Sequence, residues 1–496
     1  MTKSMLSATS RDFFRLVEAA AFANPFSSIR DDFDRMIAGI DLKAPVKADD
    51  LLKIVEERVS RELAIVRKKA ADLGAYPRED EPLVRLAELF VVFHRYAAQL
   101  DELIELQGRA GEKPLPVRFA REVLHDLTNA GFDRERALRY FAIFYQLRRA
   151  YYFISREVMG NSPAMNRLRC EIWTNVFTLR SAWYDQYLFN RMEDFSTLLL
   201  GSTGVGKSSV AAAIGRSGFI PFKEKESAFA ESFSVAFVAA NLTQFPDALV
   251  ESELFGHVRG AFTGALQERS GLFARCSRHG AVFLDEIGDI PLTLQAKLLT
   301  VLQDRQFMPV GGNSALRFDG RVIAATNRPL DELRAKGSFR DDFYYRLCSH
   351  VIRMPSLRER LDEAPEELEG LLAVILSRMI GDAPAEMISE VGGVLARDLP
   401  PDYHWPGNVR ELEQATRRIL LTGTYQGERR IGDLVGAEEA RTAGLKVLAG
   451  QGLSSDELLS AYCSLLYEEL GSYEEVARRT KLDRRTVKKY LTMVSR

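Results

Sequence analysis

Eight residues constrain this chain more than any others. Gly201 to Ser208, GSTGVGKS, follow an apolar run, TLLL (Thr197 to Leu200), and lead into the helix-forming stretch VAAAI. Glycine, four residues, glycine, lysine and serine, opened by a strand and closed by a helix, is the P-loop pattern. Glycines let successive backbone N–H groups converge on phosphate oxygens, and the start of the helix adds partial positive charge. Lys207 reaches the β and γ phosphates, and the Ser208 hydroxyl is a ligand for Mg²⁺. Gly201, Ser202, Thr203, Gly204, Val205, Gly206, Lys207, Ser208 and Ser209 are thus expected to hold ATP.

Two more buried-type strands follow, AVFLDE (Ala281 to Glu286) and RVIAATN (Arg321 to Asn327), with the helical stretch Leu292 to Arg305 between them. Strands alternating with helices imply a mostly parallel sheet. Asp285 and Glu286 end the first of these strands, where a Walker B pair belongs: Asp285 to hold Mg²⁺, Glu286 to polarise an attacking water. A strand-end acidic pair also serves as a helix cap. The P-loop upstream and the strand ending in Asn327 downstream favour the catalytic role.

The rest of the chain is of another kind. With 496 residues, about three domains are expected. From Ser10 to about Glu157 the pattern is helical, with Leu52, Val55, Val59, Leu63 and Val66 on one stripe and further helices expected over 83–106, 117–129 and 134–155. Strand-like runs are missing there, which disfavours a phospho-receiver domain and predicts a helical bundle, large enough to pack a core of its own. The stretch Arg136 to Ile154 is crowded with Tyr140, Phe141, Phe144, Tyr145, Tyr151, Tyr152 and Phe153. Core packing with a partner face accounts for these rings, and a ligand pocket is the alternative.

The net charge of −2 means that any nucleic-acid contact is local. Such a patch stands at the end of the chain. Gly471 to Arg496 carries eight basic residues against three acidic ones, with Val476, Ala477, Leu482, Val487 and Leu491 at helix-turn-helix core spacing. On the second helix Arg484, Arg485, Thr486, Lys488 and Lys489 are expected to face a major groove of double-stranded DNA, with Tyr490 beside them. The four cysteines and six histidines are dispersed, so neither a disulfide frame nor a zinc site is indicated. No apolar run approaches the span of a bilayer, and a cytoplasmic protein without a membrane partner is expected.

With these residues placed, the region from about Val158 to Gln414 resembles the AAA+ domain of bacterial enhancer-binding proteins, the activators of sigma-54 RNA polymerase. ESELFGHVRGAFTGA (Glu251 to Ala265) contains the family's diagnostic loop, and VFLDEIGD, FRDDFYYRL and WPGNVREL follow in family order. The resemblance implies a fold of three parts: a helical N-terminal domain, an α/β P-loop domain with a helical lid, and a C-terminal helix-turn-helix. The expected boundaries are 1–157, 158–355, 356–425, a linker over 426–452, and 453–496. It also implies that Gly260, Ala261, Phe262, Thr263, Gly264 and Ala265 contact the sigma factor of the polymerase holoenzyme. Asn241 would switch the catalytic glutamate, Asn327 would be the sensor I residue and Arg410 the sensor II arginine. Arg340 and Arg346 would reach the nucleotide of a neighbouring subunit in a homo-oligomeric, hexameric ring. The segment VMGNSPAM, with Val158 and Gly160, would line the adenine pocket.

The chain departs from the family in three places. Ser208 stands where the family commonly has glutamate. Pro221 to Phe233 lengthens the connection after the P-loop helix and is expected to be an extended loop. The N-terminal region matches no regulatory domain of the family, so a bound ligand or partner protein is the expected input, with repression by the free domain favoured. Two other readings stay open on the sequence: a DNA-binding regulator that no longer remodels polymerase, and an AAA+ remodeller of another protein client.

Overall fold

The computed structural model describes residues 5–68, 73–427, 459, 462–463, 466–467 and 472–493. It forms two compact units, 1–425 and 426–496. No described helix is long and apolar enough to cross a membrane.

The first unit opens with eight helices: α1 (Ala8–Phe22), α2 (Ser28–Ala38), α3 (Ala48–Arg67), α4 (Glu81–Arg95), α5 (Ala97–Ala110), α6 (Ala120–Asn129), α7 (Arg134–Glu157) and α8 (Pro163–Phe177). The stripe expected on α3 is buried at Val55, Val59, Leu63 and Val66. The helix expected over 83–106 is instead two, broken at Tyr96. Its hydroxyl donates to Asp126 at 3.0 Å and its ring stacks on Phe119, so the break is anchored to α6 and the residue just before it. Asp133 starts α7 by accepting the Arg136 N–H at 2.8 Å, the usual work of an N-cap.

A five-stranded sheet follows. In chain order the strands of the unit are β1 (Thr197–Leu200), β2 (Phe222–Lys223), β3 (Ala228–Phe229), β4 (Phe237–Asn241), β5 (Gly256–His257), β6 (Arg269–Ser270), β7 (Ala281–Asp285), β8 (Gln306–Phe307), β9 (Leu316–Arg317), β10 (Arg321–Thr326) and β11 (His350–Arg353). The sheet order is β11-β1-β10-β7-β4, and every pairing is parallel. Such a sheet needs both faces covered, and its near-continuous apolar strands show it: β10 is buried at all six positions. The P-loop, the Asp285–Glu286 pair and Asn327 all emerge at its carboxyl edge, where open α/β sheets bind ligands.

Pro221 to Phe233 is not an extended loop. It folds as the antiparallel hairpin β2–β3 and packs back onto the N-terminal helices. The Tyr145 ring of α7 stacks on Phe229 at 3.8 Å, Phe141 meets Phe222 edge-on at 4.8 Å, and Phe153 meets Phe233 at 5.1 Å. Val117 N–H donates to the Ser227 carbonyl at 2.8 Å. The N-terminal helices therefore close no separate core: one buried apolar cluster runs from Leu6 through α7 and the hairpin to Leu199, Ile323 and Met354. Phe141, Phe144, Tyr145 and Phe153 of α7 are spent on this packing and buried, while Tyr151 is exposed.

Four helices, Leu357–Glu363, Glu367–Ile380, Ala385–Asp398 and Asn408–Thr422, form a lid around Leu372, Leu376, Leu395, Trp405 and Leu412. Ser356 and Glu359 start it with a reciprocal capping box. In the second unit, helices Tyr473–Thr480 and Arg484–Met493 are joined by a turn in which Lys481 is left-handed at φ 56°. Beyond Gly427 the linker expected over 426–452 lies outside the described residues.

Candidate functional site

The P-loop closes on glycine geometry. Gly204 and Gly206 have φ of 82° and 98°, where only glycine is relaxed. A Cβ on Gly204 would lie 2.2 Å from the Gly407 carbonyl of the lid, so the loop and the lid approach backbone to backbone. Lys207 begins the nine-residue helix α10 (Lys207–Gly215; α9 is the single turn Ser181–Trp183). Its Nζ donates to the Gly201 carbonyl at 2.8 Å and the Ser202 carbonyl at 3.2 Å. Burial pulls its pKa below the usual lysine range, against the pull of Glu286 and Asp285. Ser208 is exposed at the head of the helix.

Asp285 Oδ1 accepts the Glu286 N–H at 3.0 Å, and burial raises the Asp285 pKa. Glu286 is held at φ 58°, an uncommon backbone for a residue with a side chain, of the kind found at functional sites. Burial, then the neighbouring Asp285, raises its pKa. Its Oε2 is buried without a hydrogen-bond partner among the described residues. A cavity of about 490 Å³ lies against it, lined by Thr243, Asp289, Asn327, Arg328 and Pro329. Asn327 closes the site from β10, its Nδ2 donating to Thr203 Oγ1 at 3.1 Å. The geometry thus gathers a cation, two carboxylates and an amide around an N–H-rich loop.

Asn241 stands opposite Asp285 in register, but its Oδ1 accepts from the Thr243 N–H at 3.0 Å and hydroxyl at 2.8 Å. In this conformation it caps a turn. Arg410 lies beside the P-loop, its Cβ 3.0 Å from where a Gly204 Cβ would sit. Arg340 is exposed and pairs with Asp342 at 2.7 Å, while Arg346 Nε donates to the Leu302 carbonyl at 3.0 Å. Val158 is buried, and Gly160, at φ 111°, passes so close to Glu367 that a Cβ would lie 1.8 Å from its Oε1. Glu367 is itself held in a buried pair with Arg360, and accepts the Ser162 N–H at 3.0 Å. The segment is thereby fastened to the lid.

One residue of this site went unmarked in the sequence. Asn408, in WPGNVREL, is buried at φ 53°; its Nδ2 donates to Ser202 Oγ at 2.9 Å and to the Thr203 carbonyl at 3.0 Å, and its Oδ1 accepts the Leu357 N–H at 2.8 Å. The signal for it was an asparagine, a residue that tolerates left-handed backbone, at the head of a helix.

The loop Gly260 to Ala265 stands on the ribbon β5–β6. Gly260 N–H donates to the Ala265 carbonyl at 2.8 Å and Ala265 N–H to the Phe262 carbonyl at 3.0 Å, with Gly260 and Gly264 at φ 84° and 101°. Phe262 lies edge-on to His257 at 5.0 Å, is 36% exposed, and Ala265 is buried under the turn. Thr263 and Ala261 complete the tip.

In the second unit Arg484, Arg485, Lys488 and Lys489 are exposed on the second helix, and Thr486 is half-buried with its hydroxyl donating to Asp483. Tyr490, expected beside them, is instead 8% exposed and packs with Cys463, Leu466, Val476 and Val487. It falls three positions after Val487, which puts both on the inner face of the helix. The side chain of Leu491 lies outside the described residues.

Residues 183–353 match the sigma-54 interaction domain. The chain is 38% identical over 273 residues to the Nif-specific regulatory protein of Azotobacter vinelandii, covering 55% of this chain and 46% of that protein. It is 39% identical over 285 residues to the DNA-binding transcriptional regulator NtrC of Azospirillum brasilense, covering 58% and 52%. The crystal structure of NtrX from Brucella abortus aligns with a TM-score of 0.42 at 23% identity, over 76% of this chain and 80% of that one. The chain spans about half the length of the curated relatives it matches. The central part of the chain is thus similar to the sigma-54 interaction domain, and to these regulators over about half of their length.

Proposed function

We propose that this protein activates transcription by binding upstream double-stranded DNA and using ATP hydrolysis to remodel the closed complex of sigma-54 RNA polymerase. The observation that carries the reading is the meeting of Lys207, Asp285, Glu286 and Asn327 at one sheet edge in a chain whose glycine-hinged loop stands apart on its own ribbon.

The residues fit a Mg²⁺-bound nucleotide. Gly204 to Lys207 present N–H groups at a helix start, and an added Cβ on Gly206 would meet nothing within 4 Å, leaving that side open for phosphate. ATP supplies the phosphoanhydride whose cleavage drives the cycle. Lys207 turns from the loop carbonyls to the phosphates, Ser208 and Asp285 hold Mg²⁺, and Glu286, with an orphaned oxygen, takes the proton of the attacking water. Asn241 exchanges its turn cap for that glutamate. Asn327 and Arg410 report the state of the phosphates to the sheet and the lid, and Val158 and Gly160 flank the base. Arg340 and Arg346, exposed on one subunit, complete the site of the next in a hexameric ring, where a cation in trans stabilises transition-state charge.

Residues 158–355 and 356–425 act as the ATPase and its lid, 1–157 as the regulatory region, and 453–496 as a helix-turn-helix whose Arg484, Arg485, Lys488 and Lys489 meet DNA. Phe262 and Thr263 at the loop tip meet the sigma factor. The test is open-complex formation with sigma-54 polymerase. Phe262→Ala and Thr263→Ala are expected to keep most ATPase activity and lose promoter opening. Promoter opening by these variants at the parent's level would remove the loop from its role, and a parent chain that hydrolyses ATP without opening any promoter would favour another client.

A further inference from the structure

The P-loop helix is held at both ends, and the two grips come from different parts of the chain. α10 ends at Gly215, and the next three carbonyls, of Arg216, Ser217 and Gly218, all accept hydrogen bonds from side chains of α7. Arg149 Nη1 donates to the Arg216 carbonyl at 2.8 Å, Gln146 Nε2 to the Ser217 carbonyl at 2.9 Å, and Arg149 Nη2 to the Gly218 carbonyl at 2.6 Å.

Arg149 is fully buried, with no carboxylate in ion-pair range among the described residues and its Nε without a partner. Its guanidinium lies over the Tyr145 ring at 4.5 Å, and that ring stacks on Phe229 of the hairpin. A buried cation lacking a counter-charge is costly. Here the carbonyls of Arg216 and Gly218, which follow the end of α10, take that place, next to the helix end where partial negative charge gathers. Gln146 is fixed from behind by the Tyr184 hydroxyl, which donates to its Oε1 at 2.8 Å. The helix end has no slack on its other side: a Cβ on Gly215 would lie 2.5 Å from the Phe237 ring, and one on Gly218 would lie 2.8 Å from the His279 carbonyl.

We propose that Gln146 and Arg149 are positioning residues for the phosphate site, and that the N-terminal region controls nucleotide affinity by the grip of α7 on the far end of α10. This rests on the reading of Gly201 to Ser208 as an ATP site. Nine residues at 1.5 Å each make α10 roughly 13 Å long, short enough to move as a rod. Fixing its carboxyl end fixes the aim of the N–H groups and of Lys207 at its head. A ligand or partner on α1–α6 that displaces α7 would tilt that rod without touching the site.

The test uses the full chain and titration with a fluorescent ATP analogue. Gln146→Leu removes one of the three hydrogen bonds, and Arg149→Lys keeps the charge but loses the two-pronged geometry. Each is expected to weaken ATP binding by about five- to tenfold, the weight of a hydrogen bond expressed at the site. Phe141→Leu, in the same interface but away from the three carbonyls, is the control: it should lower the melting temperature as much and leave affinity within twofold. ATP affinity within twofold of the parent in both Gln146→Leu and Arg149→Lys would overturn the proposal, as would an equal loss in Phe141→Leu. Failure of the parent chain itself to bind ATP would overturn this proposal together with the reading of the site.

Discussion

Asn408 Nδ2 lies 3.0 Å from the Thr203 carbonyl, so the lid holds the P-loop by a side chain at the same turn where Gly204 meets the Gly407 carbonyl. The contact is buried and made from a left-handed residue. Asn408→Gly keeps that backbone relaxed and deletes only the hydrogen bonds. We expect it to cost about 1–3 kcal/mol of stability in urea unfolding and to weaken ATP binding. Asn408→Ala should cost about 1 kcal/mol more, from the left-handed backbone. Equal stability of the two variants would assign the effect to the hydrogen bonds alone.

Glu286 needs its charge to act as a base. Burial and Asp285 hold its pKa above the ordinary 4.5, so the acid limb of the ATPase profile should lie above the usual glutamate range, with activity lost as pH falls through it. Glu286→Gln should bind ATP and turn it over at least about a hundredfold more slowly. A pH profile across this range, together with binding by the variant, checks both parts.

Arg340→Ala and Arg346→Ala should lose turnover while melting like the parent, because both side chains are exposed and make only peripheral contacts within their own subunit. Mixing either variant with Glu286→Gln subunits separates the roles: a ring can recover activity only where an intact arginine faces an intact glutamate. Undiminished turnover in Arg346→Ala alone would take it out of the site.

His94, packed at 4.3 Å from the Phe90 ring and 5.1 Å from that of Phe93, has its pKa pushed down to about 3 by burial, helped by Arg30 and Arg148. The unfolded chain takes up a proton below about 6.5 that the folded chain refuses. Stability from this residue is therefore full above that pH and is lost as pH falls from 6.5 towards 3. Between pH 7.5 and 5 the loss should be up to about 2 kcal/mol in urea unfolding. His94→Phe should flatten the slope, and an unchanged slope would place the titration elsewhere.

The parts of the site that come from contiguous patterns were legible in the sequence. GSTGVGKS, the strand ending in Asp285–Glu286 and the left-handed glycines of the 260–265 loop each set their geometry within a few residues. What escaped depends on contacts across long separations. Asn408 meets Ser202 across 206 positions, and no local spacing marks it. Tyr96 breaks a continuous apolar pattern because Asp126 and Phe119 hold it. Tyr490 stands among basic residues in the sequence, yet its period from Val487 turns it inward. Pro221 to Phe233 reads as a loop because a two-residue strand has too few positions to show alternation; its order comes from the rings of α7.

That hairpin has a consequence for how such a protein can change over generations. One domain is exchanged for another most easily where the seam between them is small, wet and polar. Here the P-loop domain carries an arm, and Phe222, Phe229 and Phe233 on it are matched ring by ring to Phe141, Tyr145 and Phe153 of α7. A graft that replaced residues 1–157 would strand three phenylalanines in water and leave the carbonyls after Gly215 without their donors. Residues 1–157 and the P-loop domain of this chain are bound to be inherited together.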